Sequence, residues 1–141
     1  MADTLLLEVA TPERLMLEEQ VAEAEVPASD GALGILPEHA PLLAELGTGE
    51  LSYTAPGSPR RHMAVSDGWV EVLPDRIRVL ALRAEFGDEI DTARAQAALK
   101  RAEERLASPK ENLDTARALN AMKRAQARLA CARHSGVGTK R

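Results

Sequence analysis

The chain has 141 residues, 45% of them apolar but only 2% aromatic, with a formal net charge of −4. That length holds one ordinary domain, or a small domain with an appendage. No apolar run is long enough to span a bilayer, no charged-then-apolar leader is present, and the lone Cys131 excludes an internal disulfide, so a soluble chain of a reducing compartment is expected. The modest net charge conceals a division. Residues 1–90 carry 6 Lys/Arg against 17 Asp/Glu, net −11, whereas residues 91–134 carry 10 against 5, net +5, and Lys140 and Arg141 follow in the tail. Two units with different surfaces are expected.

In chain order, the first unit reads as strands. "TLLLEV" is a short apolar run near the start. "DGALGILPEHAPLL", Asp30 to Leu43, strings Leu33, Ile35, Leu36, Leu42 and Leu43 between Gly31, Gly34, Pro37 and Pro41, with His39 in its midst. Glycine and proline pin such a loop while its leucines remain available for contact. "HMAVSDGWVEVLPDRIRVLALRAE" alternates: Val70 and Val72 flank Glu71, and Ile77 and Val79 alternate with Arg76 and Arg78, the period of a half-buried strand. Asp67-Gly68 predicts a hairpin turn between two strands, and Pro74-Asp75 predicts the next turn. Further turn signals fall at 27–34, 47–50 and 55–59. Short strands at this spacing predict a small antiparallel β-sandwich or barrel over residues 1–87.

Near Asp88 the pattern changes. Residues 88–134 are nearly free of glycine and rich in Ala, Leu, Arg, Lys and Glu, the strong helix formers. Ile90, Ala93, Ala97 and Arg101, and Ile90, Ala98, Ala102 and Leu106, follow helical steps, as do Leu113, Ala116, Met122, Ala125, Leu129 and Ala132 in a second segment. Between them Ser108 is predicted to cap the second helix, with Pro109 in its first turn and Glu111 completing a capping box. The result is an antiparallel α-helical hairpin whose facing positions are mostly alanine. At about 0.8 kcal/mol per buried methylene, such a seam is weak, and a reversibly docked hairpin is expected. Residues 135–141 are expected to be a disordered tail.

Little in the sequence points to catalysis. His39, His62 and His134 fall in a loop, a strand and a helix end, without H-x-x-H or cysteine-rich spacing, so no metal is predicted. No nucleophile elbow surrounds Ser66, the phosphate-loop and dinucleotide glycine patterns are absent, and Cys131 on an alanine-rich helix reads as a packing residue. The basic helices offer more. Their arginines have three readings: a solvated face, a nucleic-acid surface, or a site for a phosphate or carboxylate. The second lacks an aromatic stacking platform. Arg124 and Arg128 share one helix face, as do Arg94 and Arg101 on the other helix, and guanidiniums converging across an antiparallel pair are unfavourable without an anion between them. A free-standing nucleotide or nucleic-acid binding module is the alternative from a different class.

"DGALGILPEHAPLLAELGTGEL", "VSDGWVEVLPDRIRVLALRAE" and "EIDTARAQAALKRAEERL", in that order, resemble the epsilon subunit of the F-type ATP synthase over nearly the whole chain to His134. The resemblance implies a β-sandwich that binds the gamma subunit and rests on the c-ring, so that rotation is passed to the catalytic head. It places Leu33 to Leu43 at the ring, with His39 at that contact; many relatives carry an acidic residue where Ala32 stands, so Asp30 or Glu38 is expected to supply the polar contact. It also implies that the hairpin inhibits ATP hydrolysis when extended into the head, its basic face meeting the beta and alpha subunits. The motif I/L-D-x-x-R-A, here Ile90, Asp91, Arg94 and Ala95, marks relatives that bind ATP as a regulatory ligand on the folded hairpin. By the same resemblance Glu85, Arg101, Arg124 and Arg128 join that site. The expected place is the bacterial inner membrane, cytoplasmic side, reached only through the complex. No catalytic residue and no nucleic-acid partner are expected.

Overall fold

Among the described residues, eight strands lead into two helices: β1 (Leu5–Ala10), β2 (Leu15–Val21), β3 (Glu23–Ala28), β4 (Gly31–Ile35), β5 (Leu42–Leu46), β6 (Gly49–Thr54), β7 (Arg61–Leu73), β8 (Arg76–Phe86), α1 (Thr92–Ala107) and α2 (Thr115–His134), with a 3-10 turn at Gly87–Glu89. The computed structural model describes residues 3–136 except 109, 111 and 112. Alternation dictates the inward face. Leu5, Leu7 and Val9 of β1, Leu51 and Tyr53 of β6, Val70 and Val72 of β7, and Ile77, Val79 and Ala81 of β8 share one core with Val21, Val26, Ile35 and Leu46. The strands hydrogen-bond in the order β2-β1-β8-β7-β5-β3-β4, with β6 bridging β3 and β7. Among the described residues, pairing is antiparallel except between β1 and β8, which run parallel. No described helix is long and apolar enough to cross a membrane.

Pro74-Asp75 forms the predicted turn, with Leu73 paired to Arg76 across it. Asp67-Gly68 does not. Both residues have positive φ, 58° and 133°, yet they lie inside the unbroken β7, whose two halves change partner there. Residues 61–65 pair with β6 and residues 68–72 with β5. The dipeptide is a kink that hands one long strand from one neighbour to another. A side chain at Gly68 would place its Cβ 1.8 Å from the Leu80 carbonyl oxygen, so glycine is demanded by space as well as by φ. The predicted loop from Leu33 to Leu43 is partly strand: Leu33 and Ile35 belong to β4, Leu42 and Leu43 to β5.

The hairpin begins and ends differently from the prediction. Ser108 closes α1 as its C-cap, donating its N–H to the Glu104 carbonyl, and α2 starts six residues later with Asp114 as N-cap. Pro109 and Glu111 lie outside the described residues. Asp91 Oδ1 accepts the Arg94 N–H at 3.0 Å, and Asp114 Oδ1 accepts the Arg117 N–H at 3.0 Å. The two caps match because the segments do: "DTARAQAALKRAEERLA" (91–107) is echoed by "DTARALNAMKRAQARLA" (114–130). The buried seam is alanine as expected, and Ala102, Ala125 and Ala132 take the expected buried places. Ala95 and Ala102 face Ala118 and Ala125, at seven-residue spacing, while Ala93, Ala97 and Ala116 are exposed. Ser135 and Gly136, expected in a disordered tail, form a turn that closes α2, Gly136 donating to the Arg133 carbonyl at 3.1 Å. Residues 137–141 lie outside the described residues.

Candidate functional site

The hairpin packs against one edge of the sandwich through Ile90, Cys131 and Ala132, which close over Ala64 of β7. Gly87 makes this approach possible. A Cβ there would lie 2.8 Å from the Cys131 carbonyl oxygen and 2.0 Å from Ser135 Oγ. Burial raises the Cys131 thiol from 9.0 to about 12, with Glu50, Glu85 and Asp88 adding to the shift by their charge.

Above this small apolar contact, a cleft of about 650 Å³ opens between the sandwich and the helices, a size typical of ligand sites. Arg94 and Ala98 of α1, Arg124, Ala125 and Arg128 of α2, and Glu85 and Arg83 of β8 line it, with Arg14 from the β1–β2 loop at its mouth. The alanines at 98, 121, 125 and 127 keep the helix side shallow, so guanidiniums reach over it. Arg128 binds Glu85 through two hydrogen bonds, Nε to Oε1 at 2.8 Å and a terminal nitrogen to Oε2 at 3.3 Å. That fork fixes Arg128 and leaves the charges of Arg94 and Arg124 without a carboxylate in ion-pair reach among the described residues. Five arginines against Glu13 and Glu85 make the cleft electropositive. An anion with several oxygens would satisfy it.

Of the residues expected at a nucleotide site, Glu85, Arg94, Arg124 and Arg128 line this one cleft. Arg101 does not. It lies in a second depression at the far end of the hairpin with Glu104, Arg105, Ser108, Lys110 and Leu113. Arg101 is seven residues, about two turns, beyond Arg94 along α1, towards the connection with α2, and so leaves the cleft. Ile90 is buried in the apolar contact at 4% exposure, and Asp91 caps α1. The hexapeptide Ile90–Ala95 recurs as Leu113–Ala118, and both copies perform the same capping, so capping alone accounts for their aspartates. Arg14 and Arg83 escaped the sequence reading; no local pattern ties either to the helices.

At the other end, the residues expected to touch a ring scatter along one edge. Asp30 sits in the turn between β3 and β4, Ala32 and Leu33 are on β4, and Leu33 packs partly into the core. Glu38 adopts φ of 67° and donates its N–H to the Pro74 carbonyl at 2.8 Å, while His39 closes a turn onto Leu36 and its Nδ1 lies 2.6 Å from the Ala40 carbonyl oxygen. The loop's apolar surface comes from Leu36 and Leu43, 59% and 66% exposed, with Leu42 beside them.

Residues 4–87 match the family described as ATP synthase, Delta/Epsilon chain, beta-sandwich domain, and residues 88–133 match ATP synthase, Delta/Epsilon chain, long alpha-helix domain. Among curated proteins, the ATP synthase epsilon chain of Solibacter usitatus is 54% identical over 109 residues, 77% of this chain and 81% of that one. The epsilon chain of Koribacter versatilis is 49% identical over 106 residues, 75% and 74% of the two chains. Among solved structures, a chain of the Euglena gracilis mitochondrial ATP synthase superposes with a TM-score of 0.82 at 21% identity, covering 92% of this chain and 82% of its own. That likeness shows the fold.

Proposed function

The chain belongs to the delta/epsilon family of ATP synthase subunits, as a non-catalytic epsilon chain, and from that premise we propose that it is a central-stalk rotor part whose hairpin is a nucleotide-gated brake on ATP hydrolysis. The observation that carries the reading is the convergence of Arg94, Arg124 and Arg128 over one cleft that exists only while the hairpin is docked. ATP bound there as a regulatory ligand presents phosphate oxygens to Arg94 and Arg124, and Glu85 holds Arg128 in place. A ligand that binds only the docked form stabilises it by about 1.4 kcal/mol at ten times its Kd. Against a weak alanine seam that shifts the populations about tenfold.

The other partners follow the same logic. The exposed Leu36, Leu42 and Leu43 on a loop pinned by Pro37 and Pro41 suit contact with the c-ring. The paired Trp69 and Leu80, both more than half exposed on the outer face of β7 and β8, suit the gamma subunit. The basic hairpin, released, suits acidic surfaces of the beta and alpha subunits. The complex then holds the chain at the cytoplasmic side of a bacterial inner membrane. Calorimetric titration of the full chain with ATP tests the brake. Saturable binding that weakens at least about tenfold in Arg124→Ala is expected. Absence of binding at millimolar ATP, or equal binding by the variant, would overturn the nucleotide reading.

A further inference from the structure

A second polar cluster lies apart from the arginine cleft, where the end of α2 meets the sandwich. Glu50 of β6, His62 of β7 and His134 of α2 come from three elements, yet each offers a ligand atom within 4.8 Å of the others. Both imidazoles turn Nδ1 towards one carboxylate: His62 Nδ1 is 2.6 Å from Glu50 Oε1, and His134 Nδ1 is 2.8 Å from Oε2. The rings lie side by side, centroids 5.4 Å apart and tilted by 38°. His62 and Glu50 are largely buried, at 15% and 19% side-chain exposure, whereas His134 is open to solvent at 56%. His62 Nδ1 is itself buried and has no hydrogen bond among the described residues, so its approach to Glu50 lies outside hydrogen-bond geometry. A buried ring nitrogen left unbonded against a carboxylate is costly unless something else binds both.

We infer that Glu50, His62 and His134 form a site for a borderline-soft divalent cation such as Zn²⁺, which pins the end of the hairpin to the sandwich. Two imidazoles and one carboxylate are a recognised zinc donor set, with water completing the tetrahedron on the side that His134 leaves open. Ligand atoms around tetrahedral zinc stand about 3.3 Å apart for bonds of about 2.0 Å. Seating the ion therefore lengthens the two carboxylate contacts, now 2.6 Å and 2.8 Å, by about half an ångström or slightly more and draws the widest pair of ligand atoms, within 4.8 Å, closer together, a shift that the exposed His134 can make. The ion replaces a crowded polar contact by three bonds that bridge β6, β7 and α2. It binds the docked hairpin and not the released one, so it stabilises docking by mass action. The site shares no residue with the arginine cleft and does not depend on nucleotide binding.

The test titrates the full chain, without nucleotide, with Zn²⁺ by calorimetry and with Co²⁺ by visible absorption. One equivalent is expected to bind, with the cobalt bands of a nitrogen–oxygen tetrahedron and no thiolate band. His134→Ala, at an exposed position that leaves the core intact, and Glu50→Gln are each expected to weaken binding at least about tenfold. Zinc at 100 times its Kd is expected to slow amide exchange in the last turns of α2 by about 100-fold in the native chain, and not in His134→Ala. Absence of saturable zinc binding, affinity unchanged in both variants, or a thiolate band lost in Cys131→Ser would overturn the site. Zinc binding without slowed exchange would overturn its role as a clamp.

Discussion

Cys131 shows how one residue reports on the state of the whole hairpin. It is fully buried beneath Ile90 and beside Ala132 and Ala64, and burial, helped by Glu50, Glu85 and Asp88, holds its thiol at about 12 instead of 9.0. The thiolate is the nucleophile, so the docked chain is expected to be inert to thiol reagents at pH 8, labelling only as fast as the hairpin lifts off. Rapid stoichiometric labelling at pH 8 without denaturant would contradict the packing. The sign of the linkage follows. The folded chain keeps this proton to higher pH than the unfolded chain does, so the stability contributed is full below about pH 9 and is lost as pH rises towards 12. Cys131→Ala is expected to flatten that part of the stability curve relative to the native chain. The sequence placed Cys131 on a helix as a packing residue, but its burial depends on a contact with Ala64 that lies 67 positions earlier and no local pattern encodes.

At the scale of elements, what could be read was what is local. Alternation in β7 and β8 and the turn at Pro74-Asp75 are legible because side-chain period and turn chemistry act over a few residues. Asp67-Gly68 misled for the same reason. The dipeptide demands positive φ, which a two-residue turn and a mid-strand kink both supply, and only the partners β6 and β5 distinguish them. The start of α2 was misplaced because "SPKE" and "LDTAR" both carry start signals; Asp114 makes the cap that the described residues show. Arg101 is expected beside Arg94, Arg124 and Arg128, but two further turns of α1 carry it away from their cleft to the depression near Ser108. Glu50, His62 and His134 could not be grouped, because they meet only when α2 docks. Docking itself turns on Gly87, where any side chain meets the Cys131 carbonyl and Ser135. Gly87→Ala is expected to leave the strands folded but to raise amide exchange along α2 by at least about tenfold, a displacement worth about 1.4 kcal/mol or more. Unchanged exchange along α2 in this variant would show that the close approach does not govern docking.

The whole molecule joins an acidic sandwich to a basic hairpin, net −11 against +5. The contacts between them follow that division: Glu85 with Arg128 and Glu50 with His134, around a core of small side chains. Strong burial within the sandwich and a seam of alanines within the hairpin give two bodies of unequal stability. The weaker one is the one that carries the arginines, so a ligand of modest affinity can decide its position. The architecture follows from composition and period; the placement of charge around the cleft follows from docking, which the sequence expresses only through scattered residues such as Arg14, Arg83 and Glu85.

The most direct measurement is amide hydrogen exchange along residues 115–134 of the full chain, with and without ATP. If the cleft is a nucleotide site that belongs to the docked hairpin alone, ATP at 100 times its Kd slows exchange there by about 100-fold and leaves the strands of the sandwich unaltered. Exchange along α2 that is indifferent to saturating ATP would contradict the account.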